Sequence, residues 1–403
     1  MQKPQKLAAL TSLRFFAAAM IVLVHINSVF GALGLVELLP LDQGVSFFFV
    51  LSGFILAYNY PVFSGEADIL MFLKARIARI YPNHIAAIAI FILLTAHLNV
   101  GRHLPTASFA AVANLFLFQS LIPIRKVFFS FNPVAWSISA EMFFYFIFPW
   151  LIAKDILTWR FKLTLLVAIV LLYIWFVAAW QIPYDRMDLQ SASVEGLIYI
   201  NPIVRVLEFF SGVLAYFVFT RLKERVDYST LIFTGLEIVV VLLTLLIMYY
   251  SMRLPLDQSN DFARILGFYC AKSGSFPIFA VLIITFAFGK GWLGRFLALK
   301  PMVLLGEISF ALYLLHRTVL QWYQLHIDYF KAVPTGYMVP AYWLLALLLS
   351  FLLHKSVENP CRKLLIALPD VSASAGVKIL LAGRQGMYAL SLIVLLIIMI
   401  MLP

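Results

Sequence analysis

Long apolar runs alternate with short polar stretches along most of the chain. After the basic segment Met1–Lys6, the first apolar run extends to about residue 30. An α-helix needs about 20 mostly apolar residues to cross a bilayer, and ten later runs reach or approach that length. These runs are 43–60, 82–98, 134–152, 163–181, 200–220, 231–250, 274–289, 302–325, 338–354 and 387–402. We therefore predict an all-α polytopic membrane helix bundle with about ten core transmembrane helices and one extra C-terminal span.

The first apolar run has an alternative interpretation as a secretory signal peptide. The apolar region of a signal peptide is about 7–15 residues long and carries no charge. This run is longer and contains Arg14 and His25. We therefore predict an uncleaved first transmembrane helix.

Residues 108–123 are apolar but short, and Pro123 closes the run. A re-entrant or buried half-helix is an alternative to a membrane span there. If this run does not cross, most loop Lys and Arg residues fall on one side of the membrane, among them Lys74, Arg160 and Lys290. Because cytoplasmic loops collect basic residues, we predict a cytoplasmic N-terminus and an external C-terminus.

Composition excludes several other classes of protein. The 403 residues are 63% hydrophobic and only 12% charged, whereas a soluble domain is about 25% charged. The net charge of +11 is explained by basic cytoplasmic loops, so we expect no nucleic acid partner. Cys270 and Cys361 stand far apart, and neither they nor any other motif predicts a metal site.

Ionisable residues inside predicted spans point to function, because burying them in a bilayer is costly. Arg14 and His25 are eleven residues apart, which places them on one face of a helix about 16 Å apart along its axis. Ser137 and Glu141 also share a face, at i and i+4. Glu141 and His25 reach similar depths in the outer half, so an orienting His–carboxylate pair is possible. The alternative is that each group is simply paired within the bundle.

For two further sets of residues, a functional role and a purely structural role both stay open. His316 lies in the outer half of its span and is either part of a site or a hydrogen-bonded core histidine. Arg76 and Arg79, at i and i+3, can clamp phosphates through bidentate guanidinium contacts. They can equally be positive-inside anchors, which the spacing alone slightly favours. For Arg205 and Glu208 we predict an internal ion pair.

Taken in order, several short motifs resemble the acyltransferase-3 family of integral membrane acyltransferases over about residues 7–365. The motifs are Arg14 and His25 separated by ten residues, Gly44–Phe54, Arg76-Ile77-Ala78-Arg79 with Tyr81-Pro82, Trp136-Ser137-Ile138-Ser139-Ala140-Glu141, Gly306–Ser309 with Tyr313–His316, and Glu358-Asn359-Pro360. Each motif is weak alone, but their order and spacing are specific. The resemblance implies a transmembrane domain at 7–365, followed at 366–403 by a cytoplasmic segment and the additional C-terminal helix.

The resemblance also implies an activity. Members move an acyl group, often acetyl, from cytoplasmic acyl-CoA to a hydroxyl of a carbohydrate such as exopolysaccharide or O-antigen, in the bacterial inner membrane. Acyl-CoA is then a donor substrate, and no permanently bound cofactor is implied. By this resemblance His25 is the catalytic base and Glu141 its partner. The same resemblance implies that Arg14, Arg76 and Arg79 bind CoA. A possible additional site consists of Ser137, Tyr313 and His316.

A transporter or flippase of a lipid-linked glycan is the alternative function. Such a protein would use the same intramembrane charges as a substrate path. It would consume no thioester and would tolerate loss of Arg76 and Arg79 better than a CoA-dependent enzyme. We find no internal repeat in the sequence, which argues mildly against a transporter.

Overall fold

The computed structural model describes residues 7–31, 34–95, 104–153, 156–184, 191–254, 256–257 and 259–367, with 388, 392, 396 and 399. Regular secondary structure in these residues is helical, apart from one isolated bridge between Ile124 and Ala192. Ten helical segments of the described chain are long and apolar enough to cross a membrane. The all-α, multi-pass membrane bundle predicted from the sequence is confirmed.

The longer helices are numbered here in chain order. They are α1 (Ala8–Phe30), α2 (Gly44–Asn59), α3 (Glu66–Thr95), α4 (Leu104–Leu115), α5 (Trp136–Ile152), α6 (Ile156–Ala179), α7 (Pro202–Lys223), α8 (Thr230–Ser251), α9 (Asp261–Ser273), α10 (Phe276–Phe288), α11 (Trp292–Leu297), α12 (Lys300–Leu325), α13 (Thr335–Leu353) and α14 (Asn359–Ala367). Shorter helical turns span Gly34–Leu38, Leu41–Gln43, Gln119–Leu121, Arg125–Phe128, Pro133–Ala135 and Ile327–Phe330, and π-helical turns span Glu195–Ile200 and His354–Glu358.

The ambiguous run 108–123 does not form a transmembrane helix. Helix α4 has 12 residues and is therefore about 18 Å long, well short of the roughly 30 Å of a hydrocarbon core. The chain then turns at Leu117, which has a φ of 57°. This short helix agrees with the half-helix considered from the sequence, although the side chains of Phe109, Val112 and Leu115 are exposed rather than buried.

The predicted additional span 387–402 lies outside the described residues except at four positions. Tyr388, Leu392, Leu396 and Met399 are described, and the last three are buried against the main hydrophobic core. The Trp322 indole donates a hydrogen bond of 2.9 Å to the Met399 carbonyl. At these positions, the C-terminal segment therefore packs on the bundle.

Glycines let the central helices approach closely, as is common where transmembrane helices pack. A Cβ on Gly306 of α12 would collide with the backbone of Thr11 on α1. Gly53 on α2 and Gly212 on α7 likewise face the backbone of each other's helix. Helix α1 thus lies directly against α12, and this contact brings the histidines of the two helices together.

The predicted internal ion pair between Arg205 and Glu208 is confirmed. Arg205 Nη2 lies 3.1 Å from Glu208 Oε2, and both side chains are fully buried. The Arg205 guanidinium also lies over the rings of Phe49 and Tyr199. This pair joins α7 to its neighbours and lies outside the cavities described below.

Candidate active site

His25 meets His316 in the centre of the α1–α12 contact. His25 Nδ1 lies 2.9 Å from His316 Nε2, and the ring centroids are 5.0 Å apart. His316 is fully buried, whereas His25 is only partly buried. Of the two residues, His25 is therefore the more exposed, and neither lines the two cavities described below.

Glu141 has different partners from those considered in the sequence. Its Oε1 accepts hydrogen bonds from Ser52 Oγ at 2.8 Å and from Tyr145 Oη at 2.6 Å. Within the described part of the chain, no hydrogen bond joins Glu141 to His25. The structure therefore pairs His25 with His316 rather than with Glu141, and the catalytic roles of both residues stay predictions.

Ser137 and Tyr313 connect the Glu141 region to the histidines. Ser137 Oγ lies 2.7 Å from Tyr313 Oη, and the Tyr313 hydroxyl is also 3.1 Å from the Val134 carbonyl. The ring of Tyr313 lies 5.9 Å from that of His316. The three residues of the possible additional site thus form one continuous polar group with His25.

A small cavity of about 60 Å³ lies between α1, α2, α3, α5 and α12. Its polar wall consists of Arg14, Ser52, Arg79, Ser137, Glu141 and Tyr313. Aromatic and aliphatic side chains complete it, among them Phe48, Phe49 and Phe310. The cavity therefore combines charged groups with an apolar lining, as ligand sites commonly do.

A second, larger cavity of about 450 Å³ adjoins the first. Arg14 and Arg79 line both cavities, and Arg76 and Arg362 line the larger one as well. None of the four arginines forms an ion pair with a carboxylate of the described residues. The larger cavity is therefore strongly positive and suited to an anion.

Aromatic rings hold Arg76 at the wall of this cavity. Its guanidinium lies 5.5 Å from the centroid of Tyr60 and 5.8 Å from that of Phe72. Its Nη2 donates a long hydrogen bond of 3.4 Å to Tyr60 Oη, and its buried Nε has no partner among the described atoms. Stacking fixes the plane of the guanidinium and leaves donors unused.

A buried polar cluster joins α3 to the π-helical turn that leads to Arg362. Glu358 Oε2 accepts a hydrogen bond of 2.7 Å from Asn83 Nδ2 and lies 3.0 Å from His354 Nδ1. His354 Nε2 is in turn 3.0 Å from Asn359 Nδ2. Because Asn83 follows Arg79 by one helical turn, the cluster places Arg79 and Arg362 beside the same cavity.

Three further residues contribute to the site without having been predicted from the sequence. Arg362 lines the larger cavity, and Ser52 lines the smaller one. Tyr145 was not considered, yet its i+4 spacing from Glu141 was a usable signal. Nothing local in the sequence indicates the contact between Ser52 and Glu141.

In the ranges that the structure describes, no group of three or more His, Cys, Asp or Glu side chains is arranged to hold a metal ion. Arginines line the larger cavity, and a mixed polar and apolar wall lines the smaller one.

Comparison with known proteins identifies the class. The family described as the acyltransferase domain matches residues 7–354, and the chain belongs to this acyltransferase-3 family. The match covers most of the chain and includes every site residue above except Glu358, Asn359 and Arg362. The motif-based resemblance is confirmed.

Two named relatives cover most of this chain. It is 29% identical over 388 residues to acyltransferase MdmB of Streptomyces mycarofaciens, covering 89% of this chain and 92% of that protein. It is 22% identical over 387 residues to O-acetyltransferase OatA of Staphylococcus aureus, covering 90% of this chain but only 58% of OatA.

A third relative matches a shorter region. Protein 2 in picA locus of Rhizobium radiobacter is 37% identical over 89 residues, which is 22% of this chain and 44% of that protein. No solved structure matches the chain significantly. The chain is thus a multi-pass integral membrane protein of an acyltransferase family.

Proposed function

We propose that this protein transfers an acetyl group from cytoplasmic acetyl-CoA to a hydroxyl of a carbohydrate acceptor. The observation that carries the proposal is the pair of adjoining cavities that share Arg14 and Arg79. One cavity is suited to the phosphates of CoA, and the other extends from them to Tyr313, whose ring lies 5.9 Å from that of His316. The flippase alternative does not explain why a large cavity lined by four arginines adjoins a small cavity with polar side chains.

The larger cavity is the proposed site of the CoA phosphates. Arginine recognises phosphate through parallel N–H···O bonds and keeps its charge at any physiological pH. The four guanidinium groups that line this cavity of about 450 Å³ form no ion pairs with carboxylates of the described chain, so their charges offset much of the negative charge of a CoA nucleotide. The bias of basic loops supports the cytoplasm as the side from which CoA enters.

The size of the inner cavity supports a short acyl group. A buried water needs about 10–15 Å³ of comparable volume, so about 60 Å³ holds only a few non-hydrogen atoms. An acetyl thioester fits this space, whereas a long acyl chain does not. Arg14 and His25 are about 16 Å apart along α1, similar in scale to an extended pantetheine arm.

His25 is the proposed general base. As the acceptor oxygen attacks the thioester carbonyl, Nε2 of His25 takes the hydroxyl proton and the new C–O bond forms. The C–S bond then breaks, and the imidazolium returns this proton to the sulfur to give CoA-SH and the O-acetyl product. Such base catalysis is typically worth about 10²–10⁴-fold in rate.

Glu141 is proposed to act at the inner cavity rather than by direct contact with His25. Its carboxylate lines this cavity together with Arg14 and is fixed by hydrogen bonds from Ser52 and Tyr145. Its negative charge therefore stabilises the positive charge of Arg14 beside the path of the donor. The acceptor class and the bacterial inner membrane follow from family resemblance, and the O-acetyltransferase name of OatA supports acetyl as the group transferred.

The proposal is tested by thiol release from acetyl-CoA with purified protein in lipid nanodiscs. We expect slow release by the wild type, faster release with a polysaccharide acceptor, and at least ~10²-fold less with His25→Ala. His326→Ala is the control, because the His326 ring packs against Trp322 and Tyr329 beyond the end of α12. Thiol release that does not depend on His25, or CoA binding without any transfer in the presence of acceptors, would contradict the proposal and favour the flippase.

A further inference from the structure

The contact between His25 and His316 determines which nitrogen of each ring carries a proton. His316 Nδ1 lies 2.6 Å from the carbonyl oxygen of Tyr313 and 3.3 Å from that of Leu312. Because carbonyl oxygens only accept hydrogen bonds, Nδ1 of His316 carries the proton. A neutral imidazole has one N–H, so Nε2 of His316 carries a lone pair.

The same reasoning extends to His25. His25 Nδ1 is 2.9 Å from the lone pair on His316 Nε2, and two lone pairs cannot share a hydrogen bond. His25 therefore donates through Nδ1–H, and its remaining lone pair is on Nε2. A hydrogen-bonded chain runs from the Tyr313 carbonyl through His316 to His25 and ends in a basic nitrogen.

We propose that His316 is a positioning residue that fixes His25 as the Nδ1–H tautomer and keeps Nε2 free to act as the base. This inference rests on the proposed function of His25. His316 is fully buried and therefore acts only through the ring of His25, not on substrate. When His25 takes the acceptor's proton at Nε2, its Nδ1–H keeps donating to His316, which holds the imidazolium in place.

The protein holds His316 firmly enough for this role. The Tyr342 hydroxyl donates a hydrogen bond of 3.0 Å to the His316 carbonyl, and the Gly306 contact fixes α12 against α1. Arg317 is a further charged group near His25, and it supplies no acceptor. Among the described residues, His316 is thus the side chain that accepts from Nδ1–H of His25.

Two substitutions at position 316 distinguish the effect of losing the hydrogen-bond acceptor of His316 from the effect of changing its side-chain volume. His316→Gln retains an oxygen that can accept from His25 Nδ1–H, whereas His316→Met has a similar volume and only a weakly accepting thioether sulfur. We expect His316→Met to lower kcat by about 10- to 100-fold, the lower part of the range for base catalysis, with an unchanged KM for acetyl-CoA. His316→Gln should recover most of this loss.

A second measurement, nitrogen NMR, determines the tautomer of His25 and does not depend on enzyme activity. In ¹⁵N-histidine-labelled full-length protein in nanodiscs, the signals of His25 are those lost in His25→Gln. We expect a protonated Nδ1 and an unprotonated Nε2 in the wild type and in His316→Gln, and a weaker preference for that tautomer in His316→Met, where the Ile21 carbonyl is the acceptor that remains near the His25 ring. If the wild type releases no thiol from acetyl-CoA, the proposed function fails while the nitrogen spectra still decide the tautomer.

Several results would overturn the positioning role. They are a wild-type His25 protonated at Nε2, equal activity of the Gln and Met variants, or a change in KM without a change in kcat. A merely structural His316 predicts equal losses in both variants with matching losses of thermal stability. The nitrogen spectra and the recovery of activity in His316→Gln are therefore the measurements that a purely structural role of His316 would leave unchanged.

Discussion

Replacing Arg362 tests whether the larger cavity binds the phosphates of CoA. Arg362 lines this cavity with Arg14, Arg76 and Arg79, and it lies outside the matched family region of 7–354. We predict that Arg362→Gln weakens CoA binding because the substitution removes one charge and one bidentate donor. Binding needs no acceptor and no turnover, so this prediction separates donor recognition from catalysis.

The expected size of the effect follows from the environment of Arg362. Its side chain is half-buried, and a hydrogen bond to a charged group contributes about 1.5–3 kcal/mol. Since 1.4 kcal/mol corresponds to a tenfold change in Kd, the loss should be about 10- to 100-fold. Arg362→Lys should lose less, because it retains the charge but not the planar fork.

Isothermal titration of CoA into protein in nanodiscs measures this effect. The matched control is Arg160→Gln, an exposed arginine on the same predicted side that lines neither cavity. The difference between the two variants should shrink at high salt, because partly exposed charges are screened. A Kd for Arg362→Gln equal to that of Arg160→Gln would refute the assignment of this cavity to the phosphates.

Three further predictions concern the inner cavity and its supports. Glu141→Gln keeps one oxygen that can accept from Ser52 and Tyr145 but loses the charge, so kcat for thiol release should fall about 10-fold or more while thermal stability changes little. Gly306→Val should lower the free energy of unfolding by about 1–3 kcal/mol, because its Cβ would meet the Thr11 backbone; Gly235→Val, with open space around it, is the control in thermal unfolding. Glu358→Gln should weaken CoA binding several-fold by loosening the wall that carries the arginines, and unchanged titration curves would contradict that role.

Helical spacing was enough to predict features that lie along one helix. The shared face of Ser137 and Glu141 and the ion pair of Arg205 with Glu208 follow from i, i+4 and i, i+3 spacing. Apolar run lengths likewise predicted the bundle. Run length left 108–123 ambiguous, and the distribution of basic loop residues favoured a run that does not cross.

Partners on different helices could not be predicted in the same way. Depth arithmetic placed His25, Glu141 and His316 in the same outer layer without saying which pair would meet. His25 and His316 are 291 residues apart in sequence, and their contact depends on how α1 and α12 pack at Gly306. The sequence therefore named candidate site residues and left a pair between His25 and Glu141 possible, whereas the structure pairs His25 with His316.

Arg362 was missed for a related reason. The polar run from His354 to Asn359 looks like the end of the predicted span 338–354. In the structure this run is a buried π-helical turn whose polar groups bond to one another and to Asn83. The helical segment that begins at Thr335 therefore continues to Ala367 and places Arg362 in the cavity wall.

The most direct test of the account supplies radiolabelled acetyl-CoA to membrane vesicles of known orientation and follows the label into the carbohydrate fraction. We predict label transfer in inside-out vesicles, where the cytoplasmic face is accessible, and none in sealed right-side-out vesicles. His25→Ala should abolish the transfer without lowering the amount of folded protein. Transfer from the external face, or equal labelling with His25→Ala, would contradict the claim that cytoplasmic acetyl-CoA reacts at His25.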